Sequence, residues 1–177
     1  MMTLKFVNGD QMPIIGLGTW KSTSSDIYEV VKDALKMGYR HIDCAAIYGN
    51  EQGVGQALTD SFNAGIVERE EVWITSKLWN NAHAPEDVQP ALEKTLSDLN
   101  LEYLDLYLMH WPIAYKKQVQ YHTSAEDFIR IEELPISDTW AKMEQAVDKG
   151  LCRHIGVSNF SIKKLEKLLQ TAKIKPE

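Results

Sequence analysis

The feature that most constrains the fold of this chain is a strand–helix unit that occurs five times in succession. Short apolar runs of strand type alternate with longer segments whose apolar residues recur at the helical period. The predicted strands are residues 14–18, 41–43, 72–76, 104–109 and 152–157. Strands that alternate with helices in this way are typical of α/β proteins with a parallel sheet or barrel.

The helices are predicted from their periodicity and from residues that favour helix ends. In the first helix, apolar residues recur at helical spacing, Ser25-Asp26 is the expected N-cap, and Gly38 ends the helix. The other helices are predicted at about residues 50–64, 85–99, 139–149 and 161–172. Ahead of the first unit, residues 5–13 are expected to form a hairpin, because their Asn-Gly pair supplies the positive φ angles of a tight turn.

Composition excludes several classes of protein. The formal net charge is -6, from 19 basic and 25 acidic residues, and no dense Lys/Arg cluster offsets it. Nucleic acid and anionic membranes are therefore not expected as partners. The two cysteines, Cys44 and Cys152, provide no disulfide framework, and the N-terminal segment is not of signal-peptide type. No apolar run reaches the roughly 18 residues of a membrane helix, so we expect a soluble, cytoplasmic protein.

One connection is longer than the others. Residues 112–135 have weak periodicity and contain both turn-forming and charged residues. Connections longer than about 12–15 residues are uncommon in compact domains and are usually functional or disordered. We expect this loop to lie over an active site, with a tolerated surface insertion as the alternative.

Residues with catalytic or binding potential lie at or just after the end of each predicted strand. They are Thr19, Trp20, Asp43, Tyr48, Lys77, His110, Ser158 and Asn159. In a barrel of parallel strands, these ends lie on the one face where active sites form. Each residue alone is compatible with a structural role, such as capping a turn or packing in the core. The set as a whole indicates an active site.

This set matches the chemistry of proton donation to a carbonyl group at neutral pH. A tyrosine is a stronger acid beside a cation, so Tyr48 is the candidate donor, Lys77 the cation and Asp43 the partner of Lys77. His110 can hydrogen-bond the carbonyl oxygen and orient it. An apolar pocket can be walled by Trp20, Trp79 and Trp111. None of these groups supplies a hydride, which implies a nicotinamide cofactor.

Four segments of the chain resemble the diagnostic motifs of the aldo-keto reductases. They are residues 38–55 (GYRHIDCAAIYGNEQGVG), 74–79 (ITSKLW), 108–112 (LMHWP) and 155–160 (IGVSNF). The resemblance covers essentially the whole chain, and the tryptophans are similar to those of the aldose and aldehyde reductase branch. It implies a TIM (β/α)8 barrel that reduces carbonyl compounds with NADPH.

Carried over residue by residue, the resemblance implies a role for each candidate. The implied catalytic residues are Asp43, Tyr48, Lys77 and His110, with Tyr48 as proton donor. The implied cofactor contacts are Thr19, Trp20, Asp43, Ser158 and Asn159. The implied substrate contacts are Trp20, Tyr48, Trp79, His110 and Trp111. The expected cofactor is NADPH, with NADH left open, and the expected substrate is a small carbonyl compound, an aldehyde above all.

The length of the chain departs from the family pattern. Five units over residues 14–172 take about 32 residues each, so eight would need roughly 255. We therefore expect residues 1–177 to be the N-terminal part of a single barrel domain. About three units would be missing, among them the family's basic segment for the 2′-phosphate. Such an arc exposes strand edges and apolar surface, so we expect the isolated chain to be poorly soluble and inactive unless the remaining units or another chain cover them.

The same residues also bear on four other possible functions. A Rossmann dehydrogenase is suggested by residues 16–18 (GLG) after a strand, but Lys21 occupies the place of the third glycine. A Schiff-base aldolase with Lys77 as nucleophile is disfavoured, because a carboxylate partner keeps lysine charged. A metal site is not expected, since the His and Cys residues lack zinc-ligand spacing. A non-catalytic, cofactor-binding accessory protein stays open.

Overall fold

The computed structural model describes residues 2–177, which form nine strands and five α-helices. The strands are β1 (Thr3–Lys5), β2 (Gln11–Pro13), β3 (Leu17–Gly18), β4 (His41–Asp43), β5 (Trp73–Leu78), β6 (Leu104–Met109), β7 (Ala114–Tyr115), β8 (Phe128–Ile129) and β9 (Cys152–Val157). The helices are α1 (Ser24–Lys36), α2 (Glu51–Asn63), α3 (Pro85–Leu99), α4 (Ile136–Asp148) and α5 (Ile162–Leu169).

The main sheet has five parallel strands in the order β3-β4-β5-β6-β9. Each strand pairs with the next strand of the sheet along the chain, and a helix lies in every connection between them. Consecutive helices from α1 to α4 pack against one another, so they form one layer beside the sheet. This arrangement confirms the predicted α/β fold with a parallel sheet, and its strand order is that of an arc of a (β/α) barrel.

The main core lies between the sheet and the helix layer. Strand residues such as Ile42 and Ile74 and helix residues such as Ile27 and Leu92 are completely buried there. Helices α2 and α3 are unusually close to each other at Gly55 of α2, where a Cβ atom would lie 2.4 Å from the carbonyl oxygen of Asp98 in α3. The two helices can therefore approach only because residue 55 has no side chain.

The hairpin predicted before the first unit is present as β1 and β2, with Gly9 of its turn at φ 98°. It packs near the amino end of β5, where Phe6 lies edge-on to Trp73 at a centroid distance of 5.3 Å. Asp10 accepts a hydrogen bond from His154 of β9 at 2.8 Å. The hairpin thus covers the amino ends of the strands and leaves their carboxyl ends open.

Two strands differ from the predicted bounds. The first strand was predicted at residues 14–18, but β3 contains only Leu17–Gly18, because only these two residues pair with β4. Ile14 instead continues the hairpin, since its backbone N–H donates to the carbonyl of Met2 at 3.2 Å. The third strand was predicted to end at residue 76 but extends through Leu78, which pairs with β6.

Three helix ends also differ from prediction. Ser25-Asp26 is not the N-cap of α1: Thr23 is, and its hydroxyl accepts a hydrogen bond from the backbone N–H of Asp26 at 3.2 Å. Helix α4 begins at residue 136 rather than 139, directly after Pro135, which precedes it in an extended conformation. Helix α5 keeps its predicted cap at Ser161 but ends at residue 169, because the next turn closes on the carbonyl of Leu168.

The long loop at residues 112–135 has secondary structure of its own. Strands β7 and β8 pair antiparallel within it, with Tyr115 opposite Phe128.

Among residues 2–177, no helix is both long enough and apolar enough to cross a bilayer. Cys44 and Cys152 are both buried and unpaired.

Candidate active site

The carboxyl ends of the parallel strands place the candidate residues side by side. Hydrogen bonds between neighbouring segments continue past the strand ends: Thr19 donates its backbone N–H to the carbonyl of Asp43 at 3.1 Å. In the same way Ser158, after β9, donates to the carbonyl of Met109 at 2.9 Å. The segments that follow the strands are therefore held in register, side by side at the carboxyl edge of the sheet.

Lys77 of β5 is the buried cation of the site. Its ammonium group donates to both carboxylate oxygens of Asp43, each at 2.8 Å, and to the carbonyl oxygen of Cys44 at 2.7 Å. These bonds use all three N–H groups of the ammonium. Lys77 is therefore held as a cation, and no lone pair is available for nucleophilic attack.

Tyr48 lies beside this ion pair, in the short helical turn Ala46–Tyr48 that follows β4. The Lys77 ammonium lies 5.2 Å from the centroid of the Tyr48 ring. Lys77 and Tyr48 are therefore neighbours, but the ammonium group contacts the ring of Tyr48. The N–H groups of Lys77 are bonded to Asp43 and Cys44. The structure brings a cation to the tyrosine without a direct bond to its hydroxyl.

His110 faces Tyr48 across the site, and their rings are edge to face at a centroid distance of 5.9 Å. Burial and, to a smaller extent, the positive charge of Lys77 lower the pKa of His110 to about 4, although the negative charge of Asp43 partly opposes this. The imidazole is therefore neutral at neutral pH. A neutral imidazole carries one N–H and can donate it to a carbonyl oxygen. Its Nδ1 atom is buried and has no hydrogen-bond partner.

Asn159 links the end of β9 to His110. Its side-chain amide donates to the backbone carbonyl of His110 at 2.8 Å and to the hydroxyl of Ser158 at 2.9 Å. Its backbone φ is 60°, in the left-handed region, which asparagine tolerates better than most residues. Cβ-bearing residues held in this region concentrate at functional sites.

The candidate substrate residues surround one open cavity of about 370 Å³. Its lining consists of Trp20, Ile47, Tyr48, Trp79, His110, Trp111 and Tyr121. All five substrate contacts expected from the sequence are in this lining. Lys77 and Asp43 are not; they lie behind Tyr48. The walls are aromatic and apolar apart from the Tyr48 and Tyr121 hydroxyls, the indole N–H groups and the His110 imidazole.

Tyr121 reaches the cavity because the long loop folds back over Trp79. The indole N–H of Trp79 donates to the backbone carbonyl of Gln120 at 2.8 Å. Within the loop, the Tyr115 hydroxyl bonds Nδ1 of His122 at 2.8 Å. The loop therefore forms part of the cavity wall, and its placement over an active site stays a prediction.

Three residues near the cavity were missed by sequence reasoning. Ile47 and Tyr121 line it, and Lys21 lies at its rim with its ammonium 4.6 Å from the Trp20 ring centroid. Lys21 also has a left-handed backbone, with φ 66°. Two features of the sequence point to these residues: Ile47 is adjacent to Tyr48, and Tyr121 is an aromatic residue in an unusually long loop.

The residues at the end of β9 fit the amide group of a nicotinamide. The Ser158 hydroxyl accepts from Asn159, so its own hydrogen is free to donate. The carbonyl oxygen of the Asn159 side chain is an acceptor, because the amide nitrogen makes both bonds described above. A carboxamide needs one donor and one acceptor, and this pair can supply them. Residues 2–177 contain no cluster of three or more His, Cys, Asp or Glu arranged for a metal ion.

Comparison with known proteins gives a consistent result. Residues 14–177 match the model of the aldo/keto reductase family. An aldo/keto reductase of Synechocystis sp. is 55% identical over 169 residues, which are 96% of this chain and 52% of that protein. The aldo-keto reductase family 1 member A1 of Sus scrofa is 52% identical over 170 residues, or 95% of this chain and 52% of that protein. The chain thus spans about half the length of these curated relatives.

Solved structures agree with the sequence comparison. The aldose reductase of Schistosoma japonicum superposes with a TM-score of 0.93 at 44% identity, covering 99% of this chain and 59% of that one. The aldo-keto reductase of Bombyx mori in complex with NADP superposes with a TM-score of 0.88 at 37% identity, covering 99% of this chain and 56% of that one.

Proposed function

Because this chain belongs to the aldo/keto reductase family, we propose that the whole protein reduces aldehydes and ketones to alcohols with NADPH as hydride donor. The observation that carries the proposal is the arrangement of four side chains. The Lys77–Asp43 ion pair lies behind Tyr48, and Tyr48 and His110 face each other in one cavity. This is the set of groups that protonation of a carbonyl oxygen needs at neutral pH.

Each of the four residues has a separate role in the proposed reaction. Bound NADPH would supply the hydride, which forms the new C–H bond at the carbonyl carbon. Tyr48 gives its hydroxyl proton to the carbonyl oxygen, and the nearby charge of Lys77 favours the tyrosinate that remains. Asp43 holds the ammonium of Lys77 in place. His110, neutral at this pH, donates a hydrogen bond that orients the carbonyl group.

The proposed cofactor contacts are the strand-end residues on both sides of Tyr48. Ser158 and Asn159 would bind the carboxamide of the nicotinamide, and Thr19, Trp20 and Asp43 would border the cofactor. NADH remains the alternative cofactor, because discrimination depends on contacts to the 2′-phosphate. The aromatic cavity walls favour small carbonyl compounds with an apolar side chain.

We also propose that residues 2–177 are part of one barrel domain that further units complete. Strands β3 and β9 each have a neighbour in the main sheet on one side only. The backbone N–H of Glu177 bonds the carbonyl of Ile155 on the free side of β9, which supports the addition of another strand there.

Two unpaired, buried cysteines support a location in a reducing compartment such as the cytoplasm.

The test is carbonyl-dependent oxidation of NADPH by the whole protein, measured with a panel of aldehydes. Tyr48→Phe removes the proposed proton donor and should lower kcat by about 10²–10⁴-fold. Tyr28→Phe is the matched control, because it removes a tyrosine hydroxyl on α1 that bonds Asp60 outside the cavity. The control should retain full activity. Full activity of Tyr48→Phe, or none in the unaltered protein, would contradict the proposal.

A further inference from the structure

A buried carboxyl group lies directly behind the candidate active site. Glu51 is the first residue of α2 and is only 4% exposed. Its Oε1 atom accepts a hydrogen bond from the Ser76 hydroxyl at 2.5 Å, and its Oε2 atom accepts one from the Thr95 hydroxyl at 3.1 Å. Glu51 thereby joins three elements: its own helix α2, strand β5 through Ser76, and helix α3 through Thr95.

The positions of these partners along the chain connect them to the active site. Ser76 immediately precedes Lys77 in β5, and successive side chains of a strand point to opposite faces. Ser76 points towards the helices, where it meets Glu51, and Lys77 points to the other face, where it meets Asp43. Tyr48 lies three residues before Glu51. The bond from Glu51 to Ser76 therefore ties the segment that carries Tyr48 to the strand that carries Lys77.

The neighbouring residue anchors the same segment on its other side. The side-chain amide of Asn50, which is 1% exposed, donates to the carbonyl oxygens of Thr19 at 2.8 Å and Ser22 at 3.0 Å. Those carbonyls belong to the loop after β3, which also carries Trp20. Asn50 is thus bonded to the connection after β3 and Glu51 to β5 and α3, so the segment directly after Tyr48 is anchored on both sides.

We propose that Asn50 and Glu51 are positioning residues, which hold Tyr48 at a set distance from Lys77 and from the cofactor-binding loop. Neither residue lines the cavity, so both act through Tyr48. The inference rests on the proposed reductase activity. General acid catalysis requires its donor within hydrogen-bond reach of the acceptor, and a misplacement of about 1 Å can lower a rate by about 10²-fold.

The structure offers a matched pair of variants that separates positioning from stability. Ser76→Ala and Thr95→Ala each remove one buried hydroxyl and leave one oxygen of Glu51 without its donor. Ser76→Ala breaks the link to the strand of Lys77, whereas Thr95→Ala breaks a link between two helices. We expect Ser76→Ala to lower the single-turnover rate of NADPH oxidation about tenfold and Thr95→Ala to change it less than about twofold.

Three further readouts belong to the same experiment, performed on the whole protein. The KM for the aldehyde and the Kd for NADPH should stay within about twofold of the unaltered protein in Ser76→Ala, because the cavity walls are untouched. The melting temperature should fall by a similar amount in both variants. Glu51→Gln should keep most of the rate, because its amide group can still bond both hydroxyls, whereas Glu51→Ala should lose about as much as Ser76→Ala.

The outcomes separate this inference from the proposed function. If the unaltered protein oxidises no NADPH with any aldehyde, the proposed function fails, and the inference fails with it. If it is active and Tyr48→Phe is inactive, but Ser76→Ala and Thr95→Ala lower the single-turnover rate equally, the inference alone fails. Loss of rate in Glu51→Gln equal to that in Glu51→Ala would also overturn it, since hydrogen bonding would not then be the cause.

Discussion

Replacement of Glu51 by glutamine should change how the stability of the protein depends on pH. Burial raises the pKa of the Glu51 carboxyl from its ordinary value of 4.5 to about 7, although the bonds from Ser76 and Thr95 partly oppose this. In the unfolded chain the group is hydrated and returns to the ordinary value. Between these two values the folded protein binds a proton that the unfolded chain does not, so the folded state loses stability as the pH rises.

The size of the effect follows from the difference between the two pKa values. One pKa unit corresponds to about 1.4 kcal/mol, so the difference between the folded and unfolded pKa values corresponds to roughly 3 kcal/mol over the whole titration. Most of this, about 2–3 kcal/mol, is lost between about pH 5 and about pH 8. Glutamine keeps the shape, accepts from one hydroxyl through its oxygen and can donate to the other through its nitrogen, but it does not titrate. The free energy of unfolding of Glu51→Gln should therefore rise relative to that of the unaltered protein by this amount over the same range.

The assay is urea unfolding of the whole protein and of Glu51→Gln at several pH values, with the difference between the two free energies taken at each pH. The difference cancels the titration of all other groups. Glu29→Gln is the control, because Glu29 is an exposed residue of α1 and its replacement should give a difference near zero at every pH. A difference for Glu51→Gln that stays constant from about pH 5 to about pH 8 would refute the argument that burial governs this carboxyl group.

Three further predictions concern other parts of the molecule. Lys77→Met removes a charge that lowers the pKa of His110, so an NMR titration of the imidazole should show this pKa rising from about 4 towards 6.5. An unchanged pKa would contradict this role of Lys77. Gly55→Ala should destabilise the protein by about 1–3 kcal/mol in urea unfolding, because the new Cβ meets the carbonyl of Asp98; a neutral result would mean that α2 and α3 can separate freely. Asn159→Ala should weaken NADPH binding about tenfold in a fluorescence titration, and an unchanged Kd would remove Asn159 from the cofactor site.

Much of the fold was predictable because its signals are local. The apolar stripe of α1 and the Asn-Gly turn of the hairpin depend on residues close together in the chain. The candidate residues could be grouped because parallel strands share one carboxyl edge. Asp43 and Lys77 lie near the ends of neighbouring strands and therefore had to lie close together. The ends of elements were less predictable, since β3 is limited by its pairing with β4 rather than by its apolar run.

The sequence by itself determined the alternation of strands and helices and the residues that lie at the strand ends, since both depend on local periodicity and on the geometry of a parallel sheet. Only the tertiary structure decided which distant side chains meet. It placed Tyr121 in the cavity wall, bonded Glu51 to hydroxyls in β5 and α3, and bonded the Lys77 ammonium to the carbonyl oxygen of Cys44 in addition to its predicted partner Asp43. These contacts join residues that are far apart in the chain. Packing and burial select which of them meet, and local sequence patterns contain no information about this.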